Sequence, residues 1–151
     1  MQATTDTPQV AGDFPGQQRV RFAASQRAAV IAELRDARQG QREHMADVRR
    51  GRKGSSIAAA RERMIALDRA LAQVESFVRP GQPFELIAPV WLVRSVVLEA
   101  GDYAVYLLGQ EVAELRAGTG SRRRVRERFA AAQTWTGTML AVTRGERGGN
   151  A

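Results

Sequence analysis

The sequence contains no cysteine, which excludes several kinds of structure and chemistry at once. Disulfide bonds, thiolate zinc sites and cysteine nucleophiles are ruled out, and the redox compartment is left undetermined. The opening residues, MQATTDTPQVAGDFPG, lack the basic and apolar regions of a secretory signal. The longest apolar stretch, Leu86 to Leu98, spans about 13 residues and carries Arg94, so it is too short to cross a bilayer. We therefore expect no membrane contact, and a location in the cytoplasm or in a virion assembled there.

Side chains that could hold a metal are scarce. The single histidine, His44, shares a helical face with Asp47 and not with Glu43, because helix neighbours lie three or four residues apart. The Glu-x-x-His pairs of di-metal helical bundles are absent. Glu111 and Glu114 lie three residues apart, but no other carboxylates match them, which favours a solvated helical face. We predict no metal site.

Phosphate-binding loops are also missing. The only lysine, Lys53, lies in RGRKGSS, which lacks the spacing of a P-loop. GTGS at 118–121 precedes a predicted helix whose N-terminus could bind one phosphate, although a helix boundary explains these residues equally well. We therefore predict no cofactor and no enzymatic activity.

Aromatic residues make up only 6% of the chain, which is too few for a base-stacking surface. Trp135, between threonines, has no obvious apolar partner, and a contact that caps a helical bundle is favoured over exposure. Any nucleic-acid contact would then be to the backbone, without sequence discrimination. Most of the other large aromatic residues occupy expected core positions: Phe22, Phe77, Phe84, Trp91 and Phe129.

The chain is rich in helix-forming residues from Gln17 to Arg50, which predicts one long helix or two helices broken near Gly40. A second helix is predicted from about Ser56 to Val78, with Ser55 or Ser56 as its cap and RPGQP at 79–83 as its end. Folding the two helices together about residues 51–54 would bring apolar positions face to face. The second helix carries a heptad-spaced apolar seam at Ile57, Ala60, Met64, Leu67, Leu71, Val74 and Val78.

The residues that follow RPGQP at 79–83 predict shorter helices. Ala88 to Ala100 reads as a short apolar helix that ends at Gly101. Residues 103–117 predict a further helix, with a β-hairpin as the alternative. Ser121 then caps a basic helix that begins RRRVRERF.

The predicted fold class is therefore all-α: a long antiparallel helical hairpin followed by a compact group of short helices. Residues 1–16 are expected to form a flexible N-terminal arm, and residues 145–151 a flexible tail. The helical hairpin covers residues 17–79, and a bundle of short helices at 80–144 is expected to pack on it.

The net charge of +7 and the pI near 11.2 favour an anionic partner. Of 23 basic residues 22 are arginine, which in an alanine- and glycine-rich chain is typical of a GC-rich, bacterial genome. Positive charge is concentrated in two clusters. The first is VRRGRKGSS at 48–56 and the second opens the last helix. The candidate nucleic-acid-binding residues are Arg49, Arg50, Arg52, Lys53, Arg122, Arg123, Arg124, Arg126 and Arg128.

We expect a non-enzymatic basic helical interaction subunit that contacts nucleic-acid backbone, or another polyanion, within a larger homo- or hetero-oligomeric assembly. The alternative is a structural subunit of a bacteriophage particle or secretion-type machine, whose basic patches bind acidic protein neighbours. Both hypotheses use the same arginines, and they differ in the partner.

Overall fold

A computed structural model of the protein describes residues 16–52, 54, 56–76 and 79–148. The predicted N-terminal arm, apart from Gly16, and the last three residues of the predicted tail lie outside these ranges, as do Lys53, Phe77 and Val78. The described part is mostly helical, with one small sheet. In chain order its elements are β1 (Gln17–Phe22), α1 (Arg27–Arg49), α2 (Ile57–Glu75), β2 (Phe84–Pro89), α3 (Val90–Arg116) and α4 (Arg122–Gly148), with a short 3-10 turn at Ala24–Gln26 before α1.

The mostly helical structure agrees with the all-α prediction, but it also contains a two-stranded sheet that was not predicted. Strand β1 pairs antiparallel with β2, so that Gln17 lies opposite Pro89 and Phe22 opposite Phe84. Gln17 to Phe22 were predicted to begin a helix, but in QQRVRF the apolar residues alternate with arginines. This alternation buries Val20 and Phe22 on one face and leaves Arg19 and Arg21 exposed on the other. A strand is the conformation that separates them in this way.

Helices α1 and α2 lie against each other. Helix α1 runs unbroken through Gly40, which is the first of the two alternatives that the sequence left open. Helix α2 begins as predicted, because the Ser56 side chain accepts a hydrogen bond from the Ala59 backbone N–H at 3.0 Å. Polar contacts join the two helices, and a residue farther along α1 contacts a residue nearer the beginning of α2. Arg35 pairs with Glu75, Arg38 pairs with Asp68, and the Gln41 side chain donates a hydrogen bond to the Ala60 carbonyl oxygen.

The second half of the chain differs from the predicted group of short helices. It is one strand and two helices of 27 residues each. The helix prediction for 103–117 is confirmed against the β-hairpin alternative, but Gly101 does not end a helix. A Cβ atom at Gly101 would lie 3.8 Å from the Cβ of Trp135 in α4, so the glycine lies where α3 and α4 come close together.

Helix α4 begins at Arg122, directly after Ser121 as predicted, and continues to Gly148 through the first residues of the predicted tail. Across the described ranges, no helix combines the length and the apolar character needed to cross a membrane.

One hydrophobic core joins the sheet to the first part of α1, the last part of α2, the first half of α3 and the second half of α4. Leu34 and Val74 are fully buried there, as are Val93 and Val97. The remaining parts of the helices extend beyond this core. We call residues 38–66 the first arm and residues 105–131 the second arm, and the rest of the described chain the central body.

Candidate nucleic-acid interface

The first basic cluster lies at the end of the first arm. We call Arg49, Arg50 and Arg52 the first tip. All three are exposed, and Lys53, the fourth member of the predicted cluster, lies outside the described residues. Gly51 ends α1 with a φ of +70°, a conformation that glycine adopts without strain. Backbone N–H groups of Gly51 and Arg52 then bond to carbonyl oxygens of the last turn of α1, at 3.0 and 2.9 Å. The turn therefore has a defined shape that presents its arginines to solvent.

Carboxylates compensate the first tip only weakly. Arg52 Nη1 lies 3.9 Å from Asp47 Oδ1, at the edge of ion-pair distance. Arg49 and Arg50 form no ion pair with any described residue. Arg35 and Arg38, closer to the central body, pair with Glu75 and Asp68 at 2.7 Å. Free positive charge thus increases along α1 toward its end.

Arg42 belongs to this surface although the sequence analysis missed it. It is exposed and lies in a shallow groove between α1 and α2, together with Met45, Arg49 and Met64. Arg42 and Arg49 are seven residues apart, so they lie on the same face of α1. That spacing was the available signal in the sequence.

The second basic cluster lies at the end of the second arm. We call Arg122, Arg123, Arg124, Arg126 and Arg128 the second tip. All five side chains are exposed, whereas Val125 between them is half-buried. Arg123 Nε lies 2.9 Å from Glu127 Oε1, one turn along the helix. The other four arginines make no ion pair or side-chain hydrogen bond within the described part of the chain.

The turn between α3 and α4 fixes the second tip. Gly118 has a φ of +80°, and its backbone N–H donates a hydrogen bond to the Leu115 carbonyl oxygen at 3.1 Å. This geometry is typical of a helix end. Gly120 lies against the backbone of Glu114 and Leu115, and a Cβ atom there would overlap both residues. The turn therefore requires glycine at both positions. It borders a shallow depression lined by Thr119, Gly120, Ser121, Arg123, Arg124 and Glu127.

The direction of α3 decides where the two tips lie relative to each other. The Gln73 side chain bonds to both backbone polar groups of Ile87, at 2.7 and 2.9 Å. Four residues later, Trp91 lies beneath the Arg63 guanidinium, at 5.4 Å. From Ile87 to Trp91 the chain therefore moves along α2 from its end toward its beginning. Helix α3 starts beside the middle of α2.

Contacts farther along α3 show that it then runs back past the beginning of α1. Gly101 lies against Trp135, and the Trp135 ring lies 6.0 Å from that of Phe22. Phe22 ends β1, only a few residues before α1 begins. The second half of α3 therefore continues away from the first arm. The two tips lie at opposite ends of the molecule.

Charge follows this division. Residues 38–66 contain eight basic and three acidic residues, a formal charge of +5, and residues 105–131 contain six basic and three acidic residues, a charge of +3. The remainder of the chain sums to −1. The two arms together thus carry a formal charge of +8, more than the net charge of +7 of the whole chain.

Aromatic side chains are placed differently from the sequence-based expectation. Trp135 is only 5% exposed and packs in the core, where Phe22 and Phe84 are also buried. Trp91 and Phe129 were expected in the core, but they are 43% and 52% exposed. Phe129 directly follows the last arginine of the second tip.

Glu33, which lies away from the tips, has a raised pKa. Burial raises the pKa of Glu33 above its ordinary value, and the nearby Asp36 and Glu99 carboxylates raise it further. These three acids lie on α1 and α3 in the central body. Within the described ranges, no three histidine, aspartate or glutamate side chains come together as metal ligands would.

The chain matches no protein-family model, no curated protein and no solved structure.

Proposed function

We propose that the protein is a non-enzymatic interaction subunit that binds the phosphate backbone of nucleic acid through its two basic tips. The observation that carries this proposal is the second tip, where five exposed arginines at the start of α4 have one carboxylate partner between them. The N-terminus of a helix carries positive partial charge, so arginines there destabilise the free helix and acids would stabilise it. A phosphate bound to these arginines would offset the unfavourable positive charge at the helix N-terminus.

Arginine suits this partner chemically. Its planar guanidinium can donate two parallel hydrogen bonds to one phosphate, and it stays charged at every physiological pH. Binding of several phosphates releases counterions, which supplies affinity without reading any base. In this proposal, α1 and α2 form the antiparallel helical hairpin that the sequence predicts, with the first tip at its turn.

The test is binding of fluorescently labelled duplex and single-stranded DNA and RNA, followed by anisotropy at about 50 and about 200 mM salt. We expect strong binding at the lower salt and a loss of orders of magnitude at the higher. Replacing Arg122, Arg123 and Arg124 by glutamine should weaken binding to all sequences alike. The slope of log affinity against log salt should fall by about 0.9 for each lost duplex contact.

A matched control removes the same charge from the central body. Arg21, Arg69 and Arg144 are exposed and form no ion pair with any described residue, so their glutamine variant changes the net charge equally. The control should keep most of the wild-type affinity. Equal weakening by both triple variants would show that net charge alone drives binding, and absence of binding by the wild type would refute the proposal.

A structural subunit that binds protein neighbours is the second candidate, and an exposed apolar stripe favours it. Trp91, Leu98 and Val105 follow one another at seven-residue intervals on α3, and all three are exposed. Exposed apolar patches are a feature of protein interfaces. If nucleic acid fails to bind, an acidic neighbour in a phage particle or secretion-type machine becomes the partner for the same tips.

A further inference from the structure

We infer that one molecule bridges two separate segments of nucleic acid, one at each tip. This inference rests on the proposed function and adds to it the arrangement of the partner. It follows from the positions of the two tips, which belong to arms on opposite sides of the central body. Two basic clusters on one face would instead indicate a single continuous binding surface.

The separation is large compared with the reach of a side chain. Helix α1 has 23 residues, and α3 continues for 15 residues past Gly101. Laid end to end at a rise of about 1.5 Å per residue, these lengths correspond to roughly 50–60 Å, which is the upper limit of the separation between the tips. At about 3.4 Å per base pair, a straight duplex would need about 15 base pairs to touch both tips.

The central body gives no electrostatic reason for a duplex to lie along it. The described residues outside the two arms include nine basic and eight acidic residues, a formal charge of +1. Glu33 and Asp36 on α1 lie near Glu99 on α3, so the surface between these helices carries acids that repel phosphate. Attraction is therefore concentrated at the ends.

Continuous helices hold the two ends apart. Helix α1 passes through Gly40, and α3 passes through Gly101, without a break. Each arm is thus an extension of helices that are anchored in the core. The tips cannot fold back onto one duplex without breaking a helix.

The test immobilises one biotinylated duplex of about 15 base pairs on beads and adds a second, fluorescent duplex of the same length with the purified protein. The wild type should capture the fluorescent duplex on the beads. Two variants each remove three charges: R49Q/R50Q/R52Q at the first tip and R122Q/R124Q/R126Q at the second. Both should lose capture.

Affinity for a single duplex, measured separately by anisotropy, distinguishes failure of bridging from failure of nucleic-acid binding. If each tip binds a duplex independently, a variant of one tip loses only about twofold in affinity, because one of two equivalent sites remains. If both tips bind the same duplex, the same variant loses about 100-fold or more. Wild-type binding without capture, or the larger loss, would overturn bridging and leave the proposed function intact. Absence of wild-type binding would overturn both.

Self-association could also link two duplexes, through the same tip of two copies. In that case one single-tip variant would still capture the fluorescent duplex, because the other tip would be present twice in the dimer. Retained capture by either variant would therefore contradict the inference. Loss of capture by both variants supports two different tips on one molecule.

Discussion

Arginines in this protein differ according to whether a carboxylate lies within reach. Arg35 and Arg38 pair with acids of α2, and these contacts join the two helices near the central body. Arg49, Arg122 and Arg124 have no such partner in the described chain. Exposed ion pairs contribute little to stability, so the first group fixes geometry more than it adds free energy. The second group keeps its charge available for an external anion.

Glu33 is the acid whose surroundings oppose its charge most clearly. Burial and the Asp36 and Glu99 carboxylates raise its pKa in the folded protein. The folded state therefore holds this proton more tightly than the unfolded state, and stability falls as pH rises through the range above the ordinary pKa of glutamate. We expect Glu33→Gln to raise the free energy of unfolding at about pH 7.5, and to have little effect at about pH 3.5, where both states are protonated.

Urea unfolding at the two pH values measures this difference. Glu62→Gln is the matched control, because Glu62 is exposed on α2 and forms no ion pair with a described residue. It should show no comparable gain at neutral pH. A Glu33→Gln protein that is less stable than the wild type at neutral pH would contradict the electrostatic assignment.

At the scale of the element, two glycines test the course of α1. Gly40 lies inside the helix with open space around its Cα, so Gly40→Ala should stabilise the protein by about 1 kcal/mol. Gly51 has a φ of +70° at the helix end, so Gly51→Ala should destabilise it by about 1 to 2 kcal/mol. Urea unfolding of both variants gives the signs. A loss of stability in Gly40→Ala would indicate that α1 bends at Gly40.

The sequence predicted the helices better than the sheet, for a physical reason. Helix signals are local: Ser56 caps α2, and apolar positions recur at helical spacing along it. Strand β1 contains glutamines and arginines, which are good helix formers, and its partner Phe84–Pro89 lies more than sixty residues later. Pairing over that distance leaves only the alternation of Val20 and Phe22 as a signal.

Gly101 and Trp135 show the same limit in the second half of the chain. A glycine followed by aspartate is typical of a helix end and a new cap, and this pattern predicted two helices. The structure instead uses Gly101 where α3 and α4 approach each other, beside Trp135. Both basic clusters were visible in the sequence, but their placement at opposite ends depends on the direction of α3, which only tertiary contacts determine.

At the scale of the whole molecule, stability and charge are distributed in opposite ways. The buried side chains of α2, α3 and the sheet meet in the central body, which is close to neutral. The arms carry the positive charge, and each extends beyond the core as a pair of helices. Like charges within an arm repel, and a two-helix pair buries less apolar surface than the core does.

This distribution predicts a gradient in amide hydrogen exchange. Residues 67–74 and 92–100 should exchange most slowly, because their local opening exposes the core, and residues near the two tips should exchange fastest. Addition of duplex DNA should slow exchange at both tips, since phosphates remove the repulsion, and should leave the central body nearly unchanged. A variant with both tips neutralised should show the same gradient without the response to DNA. Uniform protection along the helices of the free protein would contradict the division into arms and body, and a response at one tip alone would mean that only that end meets the phosphate backbone.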